Sequence, residues 1–278
     1  MFTYHSTVME GKEKLELHMF GFPYELILYF SRDHISFLTN KVDADDHSHH
    51  YIQFTIGLEQ PVSITVEGQL VQAPGLFLQS SVIHQLQGHQ QWQWYMLINP
   101  ESTLGELVKR VYLQDSNVCV LGQDQVDQLR QLATKQLYSI TSQDDYNQSI
   151  RRFMQILRLQ EQGHEFESDL DDRIDDVLLA IEMFPSHDLT VRALSQHMYI
   201  SESRLSHIFK QKVGISLASY IVHHKLRTAF QAIFSGVSMT EAAVEAGFSS
   251  SSHFSKTVRD KLGMTARSIV QNSRFLKV

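Results

Sequence analysis

A segment near the end of this chain repeats itself at an offset of 49 residues, which restricts its last third more than any bulk property does. Ala193-Leu194 recurs as Ala242-Ala243, Ser201-x-Ser203 as Ser250-x-Ser252, and Leu205-Ser206 as Phe254-Ser255. Further on, Phe209-Lys210-x-Lys212-Val213-Gly214 recurs as Val258-Arg259-x-Lys261-Leu262-Gly263, and Ser216 recurs as Thr265. Each copy reads as a short helix, a tight break, a second helix opening at serine, a basic pair and a closing glycine. That order predicts two helix-turn-helix units on one chain.

In the first unit, Val191 to Met198 predicts a supporting helix, and Ser201 caps the next one. Ile200 and Leu205 occupy the positions of a hydrophobic staple. Leu205, Ile208 and Phe209 share one face and leave Ser203, Arg204, Ser206, His207 and Lys210 around the rest. Such a helix presents early polar residues to base edges while Arg204, Lys210 and Lys212 reach phosphates. In the second unit Met239 to Ala246 supports, Gly247 turns, and Ser250 to Leu262 reads, with Arg259 and Lys261 as its phosphate-contacting pair. Between the units, Leu217 to Ser235 predicts one continuous helix. At ~1.5 Å per residue it is a rod of roughly 28 Å, close to the ~34 Å turn of a duplex. The rigid spacer adds avidity to two readers that separately make few contacts.

Charge divides the chain in the same place. Residues 186–278 hold 12 Lys and Arg against 5 Asp and Glu, while the remainder holds 12 against 26. A basic end on an acidic body predicts that the end meets a polyanion and the body does other work. The single cysteine, Cys119, excludes an intrachain disulfide framework and a cysteine-based structural zinc site. No apolar run approaches the ~20 residues of a membrane span. The N-terminus, with Glu10, Lys12, Glu13 and Lys14, lacks an apolar signal core, so the expected location is cytoplasmic.

Residues from about 20 to 100 alternate like strands. Ile52 to Ile56, Val62 to Val66, Gly75 to Leu78 and Trp92 to Ile98 are the clearest, with breaks at Gly57, Glu67-Gly68, Pro74-Gly75 and Asn99-Pro100. Short strands at this spacing predict a β-barrel or sandwich. Beyond Pro100 the period turns helical: Leu104, Leu107, Val108 and Val111; then Val126, Leu129, Leu132 and Leu137; then Ile150, Phe153, Ile156 and Leu157. These stripes suit either an antiparallel contact between two subunits or packing onto their own barrel. Gln160 to Glu165 reads as a linker, and the acidic run Asp169 to Asp176 opens a helix that ends before Pro185.

The run Ile208-Phe209-Lys210, Gly214-Ile215-Ser216, Tyr220-Ile221, Ala229, Ala242-Ala243, Gly247-Phe248, Ser252-His253-Phe254-Ser255 and Gly263 resembles the signature of the AraC/XylS family over roughly residues 170–270. The resemblance places base-facing positions on Ser203, Ser206 and His207 in the first unit, and on Ser251, Ser252 and Lys256 in the second. It implies an activator that binds double-stranded promoter DNA and recruits RNA polymerase; a homodimer is expected from the apolar stripes of 102–162. It also implies a cupin-like sensor barrel in the N-terminal half. The chain departs from the family at Thr265-Ala266, where Ser-Pro is usual, and at Val258-Arg259, where Phe-Lys is usual. Serine contacts either base class, so the run Ser249 to Ser252 points toward backbone and shape readout as well as direct contacts.

The expected fold is therefore α+β. It comprises a cupin-like β sensor over 1–100, a helical dimerisation or linker segment over 101–164, and an all-α reader over 165–278. The reader's two helix-turn-helix units lie at about 190–213 and 239–262, joined by a long helix. For an effector pocket, His49, Tyr51, Phe54, Phe77, His84, Trp92 and Trp94 are the candidate liners, as aromatic walls with a few polar groups suit a small organic ligand. The resemblance to metal-binding cupins singles out His47, His49 and His84, but the carboxylate that a catalytic cupin adds is missing. A small organic effector is thus favoured over a metal, and no cofactor or catalytic residue is expected. The leading reading is a transcriptional regulator, not an enzyme. The alternative is a metal-dependent cupin enzyme fused to a DNA anchor, and the modest charge surplus argues against a purely architectural DNA-binding protein.

Overall fold

The computed structural model describes residues 24–159, 172–213 and 215–278. The charged N-terminus, the linker at Gln160 to Glu165, the start of the acidic run and Gly214 lie outside the described residues.

Strands β1 (Leu26–Phe30), β2 (His34–Thr39), β3 (Asp43–His47), β4 (Ile52–Gly57), β5 (Val62–Val66), β6 (Gln69–Ala73), β7 (Gly75–Leu78), β8 (His84–Gln87) and β9 (Gln93–Ile98) come first. Two more follow much later, β10 (Val118–Val120) and β11 (Ser273–Lys277). They form a seven-stranded sheet in the order β10-β7-β4-β9-β2-β1-β11 and a four-stranded sheet in the order β3-β8-β5-β6. Among the described residues the expected barrel does not close: each sheet ends in edge strands, and no ladder joins the two sets.

Alternation along the large sheet sorts its side chains onto two covered faces, so β1, β2, β4 and β9 are buried throughout. Leu28, Phe30, Phe37, Tyr95 and Leu97 point toward the small sheet. Ile27, Tyr29, Phe54, Trp94 and Met96 point the other way, into a core closed by helices α1 (Thr103–Tyr112), α2 (Gln123–Lys135) and α3 (Gln143–Ile156). Those helices spend their apolar stripes inside the same chain. Leu104, Leu107, Val126, Leu129, Phe153 and Leu157 are all buried there, so none forms a free stripe for a second subunit.

The remaining helices are α4 (Asp172–Met183), α5 (Val191–His197), α6 (Glu202–Val213), α7 (Leu217–Phe234), α8 (Met239–Glu245), α9 (Ser251–Leu262) and α10 (Ala266–Val270). Side-chain caps open most of them. Thr190 receives Ala193 N at 3.0 Å, Ser201 receives Arg204 N at 3.2 Å, and Ser250 receives His253 N at 3.1 Å. Ser216, Ser238 and Thr265 do the same for α7, α8 and α10. Each cap satisfies a backbone donor that the first helical turn leaves without a partner.

The two helix pairs bury their faces in different places. Around α5 and α6, Leu194, Leu205, Ile208 and Phe209 join Ile174, Val177 and Tyr220 in a core of their own. Around α8 and α9, Ala242, Phe254, Val258 and Leu262 belong to the core that fills the space between the two sheets. The long helix α7 contributes to both, with Tyr220 and Ile221 at one end and Leu226, Phe230 and Ile233 at the other. Strand β11 then runs parallel to β1, Leu26 facing Ser273 and Phe30 facing Lys277. No signal for this last strand appears in the sequence reading.

Candidate functional site

On α6, Ser203, Arg204, His207, Lys210 and Lys212 are exposed and Ser206 is half-buried, opposite the buried Leu205, Ile208 and Phe209. On α9, Ser252, Lys256 and Arg259 are exposed, and Ser251 and Lys261 are half-buried. The serine run divides by role. Ser250 is the cap, and Ser249 Oγ lies 3.0 Å from His253 Nδ1, which leaves Ser251 and Ser252 as the serines available to a ligand. Lys256 has Asp260 at 3.5 Å one turn along the same exposed face. Gly247 turns between α8 and α9 at φ 81°, where a β-carbon would lie 2.1 Å from the Ser186 carbonyl oxygen. Only glycine meets both conditions.

Two carboxylates missed by the sequence reading join the first helix pair to the rest. Glu101, between β9 and α1, pairs through Oε1 with Lys210 at 2.8 Å and accepts Ser216 N at 3.0 Å through Oε2. Burial works to raise the Glu101 pKa, but the Lys210 and Ser216 hydrogen bonds outweigh it and the net shift is downward. Glu182 of α4 accepts from Arg227 of α7 and from Lys277 of β11, the latter at 3.3 Å. Neither carboxylate announces itself in a helical or strand period, since each acts across 45 residues or more of chain.

The effector residues expected to share one pocket separate onto opposite faces of the large sheet. Phe54, Phe77, Trp92 and Trp94 lie in the helix-covered core, where Phe54 and Trp94 each stack edge-on with Phe153 at 5.0 and 5.3 Å. They are packing residues. Tyr51 lies instead in the core between the sheets, and His49 and His84 gather beside it with His47. The physical reason is register: residues 49, 51, 53 and 55 turn inward, so residue 54 must turn outward.

The inward set forms a polar cluster. Asp43 to His47 is strand β3, and His47 stands directly opposite His84 on β8. His47, His49 and His84 bring one ring nitrogen each within 4.8 Å of the others. Their Nδ1 atoms face the backbone carbonyls of Asp45, Tyr51 and Val82 at 2.7, 3.0 and 2.9 Å. Burial, then His84 and His47, pulls the His49 pKa down to about 3, and burial takes His84 down to about 4. Both rings are therefore neutral at pH 7. Gln53 and Tyr95 border the cluster, with Gln53 Oε1 3.3 Å from His49 Nε2 and the Tyr95 hydroxyl 3.4 Å from Gln53 Oε1. Beside them Tyr51 reaches His223 of α7, whose Nε2 donates to the Ser31 carbonyl at 2.6 Å.

With this geometry in place, comparison with known proteins is direct. Residues 194–272 match the family model described as "Helix-turn-helix domain". The HTH-type transcriptional regulator ArgR of Pseudomonas aeruginosa is 29% identical over 96 residues, which are 34% of this chain and 29% of that protein. This chain thus matches under a third of that relative's length. Among solved structures, ToxT from Vibrio cholerae aligns over 82% of this chain and 91% of its own, at 10% identity and a TM-score of 0.43. An AraC-type DNA-binding regulator from Chromobacterium violaceum aligns over 36% of this chain and 91% of its own, at 24% identity and a TM-score of 0.33. At that level nothing of their chemistry passes to this chain. Residues 194–272, from α5 to just beyond α10, are thus a helix-turn-helix domain. The match falls within the stretch whose motifs resemble the AraC/XylS signature. No helix among the described residues is long and apolar enough to cross a membrane.

Proposed function

We propose that the chain is a sequence-specific transcriptional activator that reads promoter DNA with two helix-turn-helix units, α5–α6 and α8–α9, under the control of an effector held by its N-terminal sheets. The carrying observation is the pair of exposed polar helix faces at either end of the 18-residue α7. In this reading Ser203, Ser206, His207, Ser251, Ser252 and Lys256 face base edges, and Arg204, Lys210, Lys212, Arg259 and Lys261 meet phosphates. RNA polymerase is the protein partner. A homodimer uses surfaces other than the stripes of α1–α3, which are spent internally. Residues 1–100 sense, 101–164 brace the sensing sheet and 165–278 read.

Selection of genomic fragments by the purified full chain at near-physiological salt tests this. The expected result is enrichment of a site with two unlike elements about ten base pairs apart. His207→Ala and Lys256→Ala should each weaken that site by about 1–3 kcal/mol while leaving random DNA less affected. Equal losses on both DNAs would remove these residues from base reading.

A further inference from the structure

We propose that His47, His49 and His84 bind one divalent transition-metal ion, and that this ion is the effector that sets the position of the second reading helix. The regulatory half of the proposal rests on the DNA-reading function above; the metal site itself does not.

The argument starts from protons. A neutral imidazole carries one N–H, so a ring that gives its Nδ1 proton to a carbonyl keeps a lone pair on Nε2. All three rings have a backbone carbonyl at Nδ1, from Asp45, Tyr51 and Val82. His49 has a second acceptor in Gln53 Oε1 at 3.3 Å, and giving the proton to the closer Tyr51 carbonyl at 3.0 Å leaves its Nε2 lone pair with only the Tyr95 hydroxyl nearby, at 3.5 Å. The Nε2 atoms of His47 and His84 are buried without a hydrogen-bond partner. Buried polar atoms are nearly always satisfied, so two orphaned acceptors turned toward a third point to a missing cation. The carbonyl contacts are the outer support that orients metal-bound histidines and sets their tautomer.

Donor chemistry narrows the ion. Three imidazoles without carboxylate or thiolate suit Zn²⁺, Fe²⁺, Co²⁺, Ni²⁺ or Cu²⁺, whereas Mg²⁺ and Ca²⁺ demand oxygen ligands. Zinc–nitrogen bonds of ~2.0–2.1 Å in a tetrahedron put the nitrogens about 3.4 Å apart. The three here lie within 4.8 Å, so side-chain adjustment of roughly an ångström completes the set. The fourth position falls to water or to Gln53, which borders His49.

The link to DNA reading is Gly263. It ends α9 at φ 70°, and a β-carbon on it would lie 2.7 Å from His47 Nε2. The closing residue of the second reader thus sits on one of the three ligand nitrogens. Its helix also presents its C-terminal end there, the end whose dipole favours positive charge. An ion that draws the Nε2 atoms together moves His47 against that contact, so occupancy and the position of α9 are linked.

The test uses the full chain, stripped with a chelator and titrated with Co²⁺ and Zn²⁺, with Mg²⁺ as control. One Co²⁺ per chain with visible d–d absorption is expected, displaced by Zn²⁺ and indifferent to Mg²⁺. His84→Ala and His49→Ala should weaken binding at least about 100-fold, and His47→Gln, at the least buried of the three positions, provides the same test should the others misfold by circular dichroism. Substoichiometric Co²⁺, or unchanged affinity in the folded variants, overturns the site. The fragment enriched in the selection is then bound with and without Zn²⁺. A change of about fivefold or more that vanishes in His47→Gln supports control of the reader, and an unchanged affinity overturns it while leaving the site standing. If no fragment is enriched in either condition but Co²⁺ binds, the DNA-reading function has failed and the metal site has not.

Discussion

The two helix pairs α5–α6 and α8–α9 share a sequence pattern but are held by different physics. The α5–α6 pair shares a core with α4 and the start of α7, and this unit meets the sheets through polar contacts: Lys210 and Ser216 N on Glu101, and Lys277 of β11 on Glu182, which also holds Arg227. The α8–α9 pair shares the core between the two sheets, and the chain then adds β11 to the sheet edge. Ion pairs with exposed partners contribute little and weaken with salt, whereas a shared apolar core is lost only with cooperative unfolding. Duplicated units therefore need not be held alike: the first is tied to the sheets mainly by polar contacts, and the second by the apolar core between them.

The largest expected effect separates the two cores. Phe230→Ala, beside Phe30 and Phe254 at 6.4 and 5.7 Å, should cost about 4 kcal/mol. It should raise hydrogen exchange in α9 and in the sheets together. Phe209→Ala should cost a similar ~4 kcal/mol yet release mainly α4–α6, and identical exchange maps for the two variants would erase the contrast.

Next comes pH. Burial foremost, opposed by the Ser31 hydrogen bond and assisted by Arg227, lowers the His223 pKa from 6.5 to about 4. The unfolded chain then binds the extra proton first, so stability is full above pH 6.5, falls as pH drops toward 4, and levels off below. Its ceiling is ~3 kcal/mol, from ~1.4 kcal/mol per pH unit. Denaturant melts at pH 7 and 4.5 should show a smaller loss in His223→Gln than in the parent chain.

Gly263→Ala follows at about 2 kcal/mol, because alanine resists a positive φ. It also drives a methyl group onto His47 Nε2. Its counterpart Gly236→Ala, at φ 98° with nothing within 4 Å of the added carbon, carries the backbone cost alone. Comparing thermal melts of the two isolates the His47 contact. The smallest effect is Glu101→Gln, which releases Lys210 with little change in melting temperature. Freed for phosphate, Lys210 should steepen the salt dependence of DNA binding by about one unit of log–log slope. An unchanged slope would show that the Glu101 pair does not compete with DNA.

The helices of the reader were legible in detail because their signals are local. Ser201, Ser216, Ser238 and Ser250 each cap the helix that the spacing predicted, and Gly247 turns where the repeat placed it. In the N-terminal half the alternation located β4, β5, β7 and β9 but did not single out β1, β2, β3, β6, β8 or β10, and nothing marked β11 at the far end of the chain. Asp43 to His47 is too polar to read as a strand, and three residues at Val118–Val120 are too few to show a period.

What the amino-acid sequence determined by itself is the repeat, its caps and the charge division, because each resides in neighbours a few positions apart. Tertiary structure alone decided the rest. Period-two alternation tells which residues share a face but not what covers that face, so the aromatics and the histidines looked like one pocket, while the structure packs the aromatics into a separate core. Only the register of β3 on β8 sets His47 opposite His84, and only the return of the chain after α9 lays Gly263 on His47. Contacts between residues so distant in sequence leave no local pattern, since the packing of the whole chain creates them.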